Sequence, residues 1–240
     1  MTGTLLIARR EVYAYLRSPL GAAIVAAALL IEGLWFQLNG MSRELLSAEV
    51  LQEYFNGASG TTMVASLVLA MRLLAEERQT GTITLLNTAP VRDAEIVIGK
   101  FLSAFSVIIV LTLLSVYMPL LILVNGKVSW GHVAVGYLGL ILLDASVIAI
   151  GLFASALARS QVVAAIIGAA ILVVLLLQWL VARAVEPPLN TFLSHLALHH
   201  DNFRPFMQGI LELRAVVFYL AVTYFFLLAA TKTLEARRWR

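Results

Sequence analysis

The chain has 240 residues, of which 61% are hydrophobic and only 13% charged, whereas a soluble domain is typically about 45–50% apolar and about 25% charged. A formal net charge of +3 excludes a nucleic-acid binder held by charge, and the absence of cysteine excludes disulfides, thiolate metal sites and a cysteine nucleophile. The composition predicts an all-α polytopic membrane protein that leaves no room for a separate soluble catalytic domain of about 100 residues or more.

Residues 4–17 read as an amphipathic helix able to lie in the membrane interface, with Leu5, Ala8, Val12 and Leu16 on one face and Arg10 and Arg17 on the other. The mixed charges Arg9, Arg10, Glu11 and Arg17 do not fit a cleaved secretory signal. Ser18-Pro19 breaks this helix. A first span is expected over 20–38, interrupted by Glu32, followed by a polar loop over 40–58. A second, shorter span covers 58–75, with Arg72 near its end. Residues 76–90 are the most polar stretch and carry a short leucine-containing helix ended near Pro90. The third span, 96–124, exceeds the roughly 20 residues a bilayer needs, which predicts tilt, protrusion or a kink at Pro119. Spans four, five and six follow at 132–158, 162–182 and 215–230, separated by the turn Arg159-Ser160-Gln161 and by an amphipathic segment over 183–213. The whole chain, 1–240, reads as one transmembrane domain.

The loops orient the bundle. With the N-terminus inside, Arg9, Arg10, Arg17, Arg78, Arg92, Lys100, Arg159, Lys232, Arg237, Arg238 and Arg240 lie inside, against Arg43, Lys127, Arg183, Arg204 and Arg214 outside. This satisfies the positive-inside rule, and an even number of spans places both termini in the cytoplasm.

The chemistry-bearing candidates are few. There is no G-x-x-x-x-G-K-[ST], so any ATP must be bound by another chain, and no H-E-x-x-H or G-x-S-x-G to support an intramembrane enzyme. His195 and His199, spaced i and i+4 beside His200 and Asp201, would share one face of a continuous helix, where a metal or ordinary interfacial polarity are the alternatives. Glu32, Arg72 and Asp144 fall within spans, and such residues are functional candidates by default. Arg72 can snorkel, Glu32 is near enough to the outer surface to reach it, and Asp144 is nearest mid-membrane. Gly151 with Ser155, and Ala22 with Ala26, have the spacing that lets helices approach closely.

Glu76-Glu77-Arg78-Gln79-Thr80-Gly81-Thr82, followed by Leu85-Leu86, Ala89-Pro90 and Gly99-Lys100, resembles the permease subunits of ABC-2-type transporters. Ala154-Ser155-Ala156-Leu157 before Arg159-Ser160-Gln161 is similar to that family's turn between spans four and five. His200-Asp201-Asn202-Phe203 through Gly209-Ile210, then Arg214 to Tyr219, is similar to the segment before span six in the gliding-motility-like branch. The resemblance implies a bacterial inner-membrane exporter subunit with six spans and both termini cytoplasmic. The translocation path would form with a second copy or a homologous permease. Two separate cytoplasmic ABC ATPase subunits would hold ATP and Mg, and this chain would bind no cofactor. By the same resemblance residues 4–17, with Arg9, Arg10 and Arg17, are an interface helix. Residues 76–90 are a coupling segment, in which Glu76, Glu77 and Arg78 make the polar contact and Thr80, Gly81 and Thr82 form the turn that aims it. Short extracytoplasmic helices precede the last span, and the short 40–60 loop leaves no large external domain. The competing reading is an ATPase-independent secondary transporter or membrane assembly factor, with Glu32 and Asp144 as proton or ion sites.

Overall fold

The computed structural model describes residues 2–41, 46–81, 91–186 and 189–238. Helix α1 (Thr2–Arg17) ends at Ser18, and Pro19 opens α2 (Pro19–Trp35), a position where its missing N–H has no intrahelical partner to lose. The corner is sharp enough that a Cβ on Gly21 would lie 2.3 Å from the Tyr15 carbonyl oxygen. Helix α2 continues into a wide π-helical turn, Phe36–Met41. Helix α3 (Ser47–Ala70) is followed by a turn and the short α4 (Ala75–Gln79). Then come α5 (Asp93–Leu114), α6 (Tyr117–Asn125), α7 (Trp130–Leu157), α8 (Gln161–Arg183), the short α9 (Leu189–His195) and α10 (Arg204–Met207), and α11 (Leu213–Arg238). Among the described residues six helical segments are long and apolar enough to cross a membrane.

The polar stretch 40–58 is not a loop: from Ser47 onward it is the first half of α3. Glu49 caps the helix by accepting the Leu46 N–H at 3.1 Å. Val50, Leu51, Tyr54 and Phe55 face the core at helical spacing, hidden in the sequence among Glu49, Gln52, Glu53 and Asn56. At 1.5 Å per residue the 24 residues of α3 reach about 36 Å, more than the roughly 30 Å hydrocarbon. The third span divides at residues 115–116, one turn before Pro119. Proline at 119 cannot donate to the 115 carbonyl and its ring crowds it, so the chain breaks there and restarts as α6.

Helix α7 is the axis. Every residue from 143 to 152 is buried, packed by α3, α5, α8 and α11, as expected of a helix that is apolar all round. Its small residues allow this. A Cβ on Gly136 would strike the Phe55 ring at 2.2 Å, and one on Gly151 would lie 2.6 Å from the Ala70 Cβ. Gly151 and Ser155 thus lie in a tight helix contact. Ala22 and Ala26 do not; both are exposed on α2. The outer helices α8 and α11 instead present apolar rows outward, including Ile166, Val173, Val174 and Val217, Leu220, Phe225.

Both chain ends lie at one end of the bundle, called proximal here: Arg10 reaches Glu77 and Arg237 reaches the Leu157 carbonyl. Helices α9 and α10 lie at the other, distal end, where Phe206 packs over Gly139 near the start of α7.

Two glycine substitutions separate packing from propensity. Gly151→Ala is expected to destabilise the protein by about 1–3 kcal/mol through overpacking against Ala70. Gly60→Ala, where nothing lies within 4 Å of an added Cβ, is expected to be neutral or to stabilise by up to about 1 kcal/mol. Unfolding of the purified variants in detergent or lipid measures both.

Candidate functional site at the proximal junction of α1, α4, α5 and α7

The junction begins with α1 lying on the start of α5. A Cβ at Gly99 would come within 2.9 Å of the Thr4 carbonyl oxygen and 3.0 Å of Ile7, so a glycine is what lets the two helices touch. On α1, Ala8 and Tyr15 are buried and Ile7, Glu11 and Val12 half-buried, whereas Leu5, expected on the packed face, is exposed with Leu6; the Leu16 side chain lies outside the described residues. Tyr15 donates to the Leu69 carbonyl at 3.2 Å and joins α1 to the end of α3. Burial pushes its phenol above the usual range, with the charge of Glu11 adding to the effect.

Beside Gly99, Lys100 is almost fully buried. Its Nζ lies 2.8 Å from Glu77 Oε1 and 3.5 Å from Glu11 Oε1. Arg10 closes the cluster, 3.0 Å from Glu11 and 3.5 Å from the same Glu77 oxygen. Two cations and two anions from three helices thus neutralise one another, the arrangement a buried charge requires.

Helix α4 is tied down on its other sides as well. The Ser155 hydroxyl of α7 accepts the Leu74 and Ala75 N–H groups at 2.9 and 2.8 Å and donates to the Met71 carbonyl at 3.0 Å. That one hydroxyl satisfies the backbone groups freed where α3 gives way to α4. Arg78 donates to the Ala156 and Ala158 carbonyls at 2.6 and 2.8 Å, and Arg237 to Leu157. Cationic side chains therefore close the C-terminal end of α7, where the helix dipole favours them. Arg72 and Glu76 form a two-point pair at 2.9 Å one turn apart.

The sequence-predicted residues sort accordingly. Glu77 and Arg78 are turned into the bundle, and Glu76 is engaged by Arg72. Gln79, Thr80 and Gly81 are exposed, and Gly81 adopts φ +75°, a conformation natural to glycine. Thr82 and the rest of the coupling segment to residue 90 lie outside the described residues. Arg9, Arg10 and Arg17 are exposed, with the Arg9 and Arg17 guanidinium groups 5.6 and 5.9 Å from the centre of the Tyr13 ring. The sequence reading missed Glu11, Lys100 and Ser155 as members of the site. The available signal was the row Ile7, Glu11, Tyr15, which places an acid on the face that packs.

Glu32 and Asp144 belong to a different place. Glu32 does not reach the surface; it is 2% exposed, and Asp144 is fully buried with Ser66 donating to it at 3.1 Å. At the distal end the histidines diverge. The helix stops at His195, so His195 and His199 share no helical face. His195 meets Arg214, His199 meets Ser59 at 2.8 Å, and His200 stacks on Trp179. Burial, with the neighbouring His200, holds the His199 imidazole down at about 4.

Six spanning segments with both chain ends at one end of the bundle define a multi-pass helical membrane protein. The model of the family described as ABC-2 family transporter protein matches residues 5–230. The chain belongs to that family and is a membrane permease of an ABC transporter. Members are membrane subunits rather than catalytic ones and typically work with ATPase subunits. Comparison with curated proteins gives no match.

Two outcomes follow. Glu77→Gln is expected to destabilise the fold by about 3–5 kcal/mol, because it leaves buried Lys100 short of its nearest partner. Glu76→Gln, at a part-exposed pair, is expected to cost no more than about 1 kcal/mol; denaturant titration distinguishes them. His199 is neutral when folded and titrates near 6.5 when unfolded, so its contribution is present above about 6.5 and is lost as pH falls towards about 4. His199→Gln is expected to flatten that part of the stability–pH profile.

Proposed function

We propose that this chain is the permease subunit of an ATP-driven exporter of the gliding-motility-like branch, in the bacterial inner membrane with its proximal end in the cytoplasm. It works with a second copy or a homologous permease and with two ABC ATPase subunits, which hold ATP and Mg. The observation that carries the reading is the junction. The exposed turn at residues 79–81 sits on a short helix bonded to α1, α5 and α7 at once. A force on that turn reaches three elements without passing through a loop. The excess of Lys and Arg at this end supports the orientation.

In this mechanism the ATPase contacts Gln79, Thr80, Gly81 and Thr82, together with Arg9, Arg10 and Arg17 on the exposed side of α1. Glu76, Glu77 and Arg78 act one step behind the contact and hold the lever rigid. Coupling requires that the ATPase touch this surface differently in its two nucleotide states. The resulting movement passes through Lys100 into α5 and through Arg78 and Ser155 into α7.

Thr80→Trp places a bulky side chain on the exposed turn without entering the core. It is expected to weaken ATPase association by about tenfold or more, a loss of about 1.4 kcal/mol, while unfolding stays as in wild type. Co-purification and ATPase stimulation in mild detergent measure it, with Glu212→Lys at the distal end as a control. Full association in Thr80→Trp sinks the docking site, and a wild-type chain that transports with no ATPase bound sinks the whole reading. The second reading, an ATPase-independent secondary transporter or assembly factor, rests on the buried acids Glu32 and Asp144 and predicts that last result.

A further inference from the structure

Among the described residues, Glu32 is the ionisable side chain with neither carboxyl oxygen satisfied. Both of its carboxyl oxygens are buried with no hydrogen-bond partner, as is Oδ2 of Asp144. The groups facing Glu32 come from two helices: Tyr54 of α3, and Tyr137 and Asp144 of α7, all within electrostatic reach. Asp144 in turn faces Ser66 and Thr62 of α3 and Tyr219 of α11, whose hydroxyl is committed to the Leu198 carbonyl at 2.8 Å. Among the described residues no lysine or arginine acts on either acid.

Tyr54 and Ser115 have no proton to spare. Ser115 donates to the Thr112 carbonyl at 2.9 Å, and Tyr54 donates to Ser115 at 2.8 Å. With that proton used, the 2.9 Å contact between Tyr54 and Tyr137 has Tyr137 as its donor. The chain of protons runs from Tyr137 through Tyr54 and Ser115 into the α5 backbone, so this layer can accept further hydrogen bonds but not donate one. An ionised carboxylate, which only accepts, finds no complement here. A protonated one avoids the cost of an unpaired charge in the bilayer interior.

We propose that Glu32 is a proton-binding site of the bundle, occupied in this conformation. Any movement of α2 that exposes Glu32 and admits water releases that proton. The site does not depend on the transporter reading, because the proton is held by the resting chain.

The test is infrared spectroscopy of the full-length chain in lipid vesicles at neutral pH, with glutamate carboxyls carrying 13C. The expected result is a protonated carboxyl stretch that moves with the 13C label and disappears in Glu32→Gln but persists in Glu95→Gln. A carboxyl that keeps its proton when folded but titrates normally when unfolded makes wild-type thermal stability fall as pH rises above about 4.3, the ordinary glutamate value. Glu32→Gln is expected to match wild-type stability at acid pH, to exceed it at neutral pH and to lose that dependence. The label makes the first reading valid even if the variant does not fold. A wild-type spectrum with no labelled protonated carboxyl overturns the proposal. So does a protonated band that survives in Glu32→Gln, or wild-type stability that rises with added sodium as for a bound cation.

Discussion

Hydrocarbon offers no water to a broken helix, so every backbone group that a break exposes must be met by the protein itself. Among the described residues this chain interrupts its helices at several places, and side-chain hydrogen bonds cross four of them. Ser155 of α7 serves the turn between α3 and α4. Tyr54 of α3 bonds the Ser115 hydroxyl where α5 gives way to α6. Arg78 and Arg237 serve the end of α7. Asn202 takes the carbonyls of His195 and Ala197, and Tyr219 that of Leu198, where α9 gives way to α10.

The same constraint gives the polar motif a physical meaning. In Glu76-Glu77-Arg78 each side chain goes to a different part of the bundle: Arg72 one turn back, Lys100 of α5, and the carbonyls ending α7. Gly99 lets α1 lie close enough for Glu11 to share the same ammonium. These residues hold the short helix in place, while Gln79, Thr80 and Gly81 beyond them are exposed.

How much of this was readable from the sequence depended on the range of the interaction. Six spans were legible because each is a local run of apolar residues, and α7 and α8 begin and end within two residues of their expected limits. The start of α3 was not, because Val50, Leu51, Tyr54 and Phe55 are buried by distant α7 and α10 while their sequence neighbours are polar. The break at residues 115–116 was only partly legible: Pro119 predicts a disturbance, but its partners Tyr54 and Tyr137 lie far along the chain. Polar candidates were visible as types, yet their directions were not. Glu77 and Gln79 look alike in the sequence; one is buried and the other exposed, because only Glu77 meets Lys100.

A buried ion cluster is a poor source of stability, since desolvation of the charges offsets most of their attraction. Its presence at the proximal junction has to be explained by something an apolar contact does not supply, and geometry supplies the reason. Apolar side chains tolerate sliding by a fraction of a helical turn with little change in buried area. Lys100 shared between Glu77 and Glu11, with Arg10 across both, has one arrangement that leaves no charge unpaired. Displacing α4 relative to α5 breaks that arrangement at once, whereas displacing α1, α4 and α5 together does not. The charges therefore make the three helices move as one body, which is the property a short helix needs if a push on its exposed turn is to arrive undiminished in the spans.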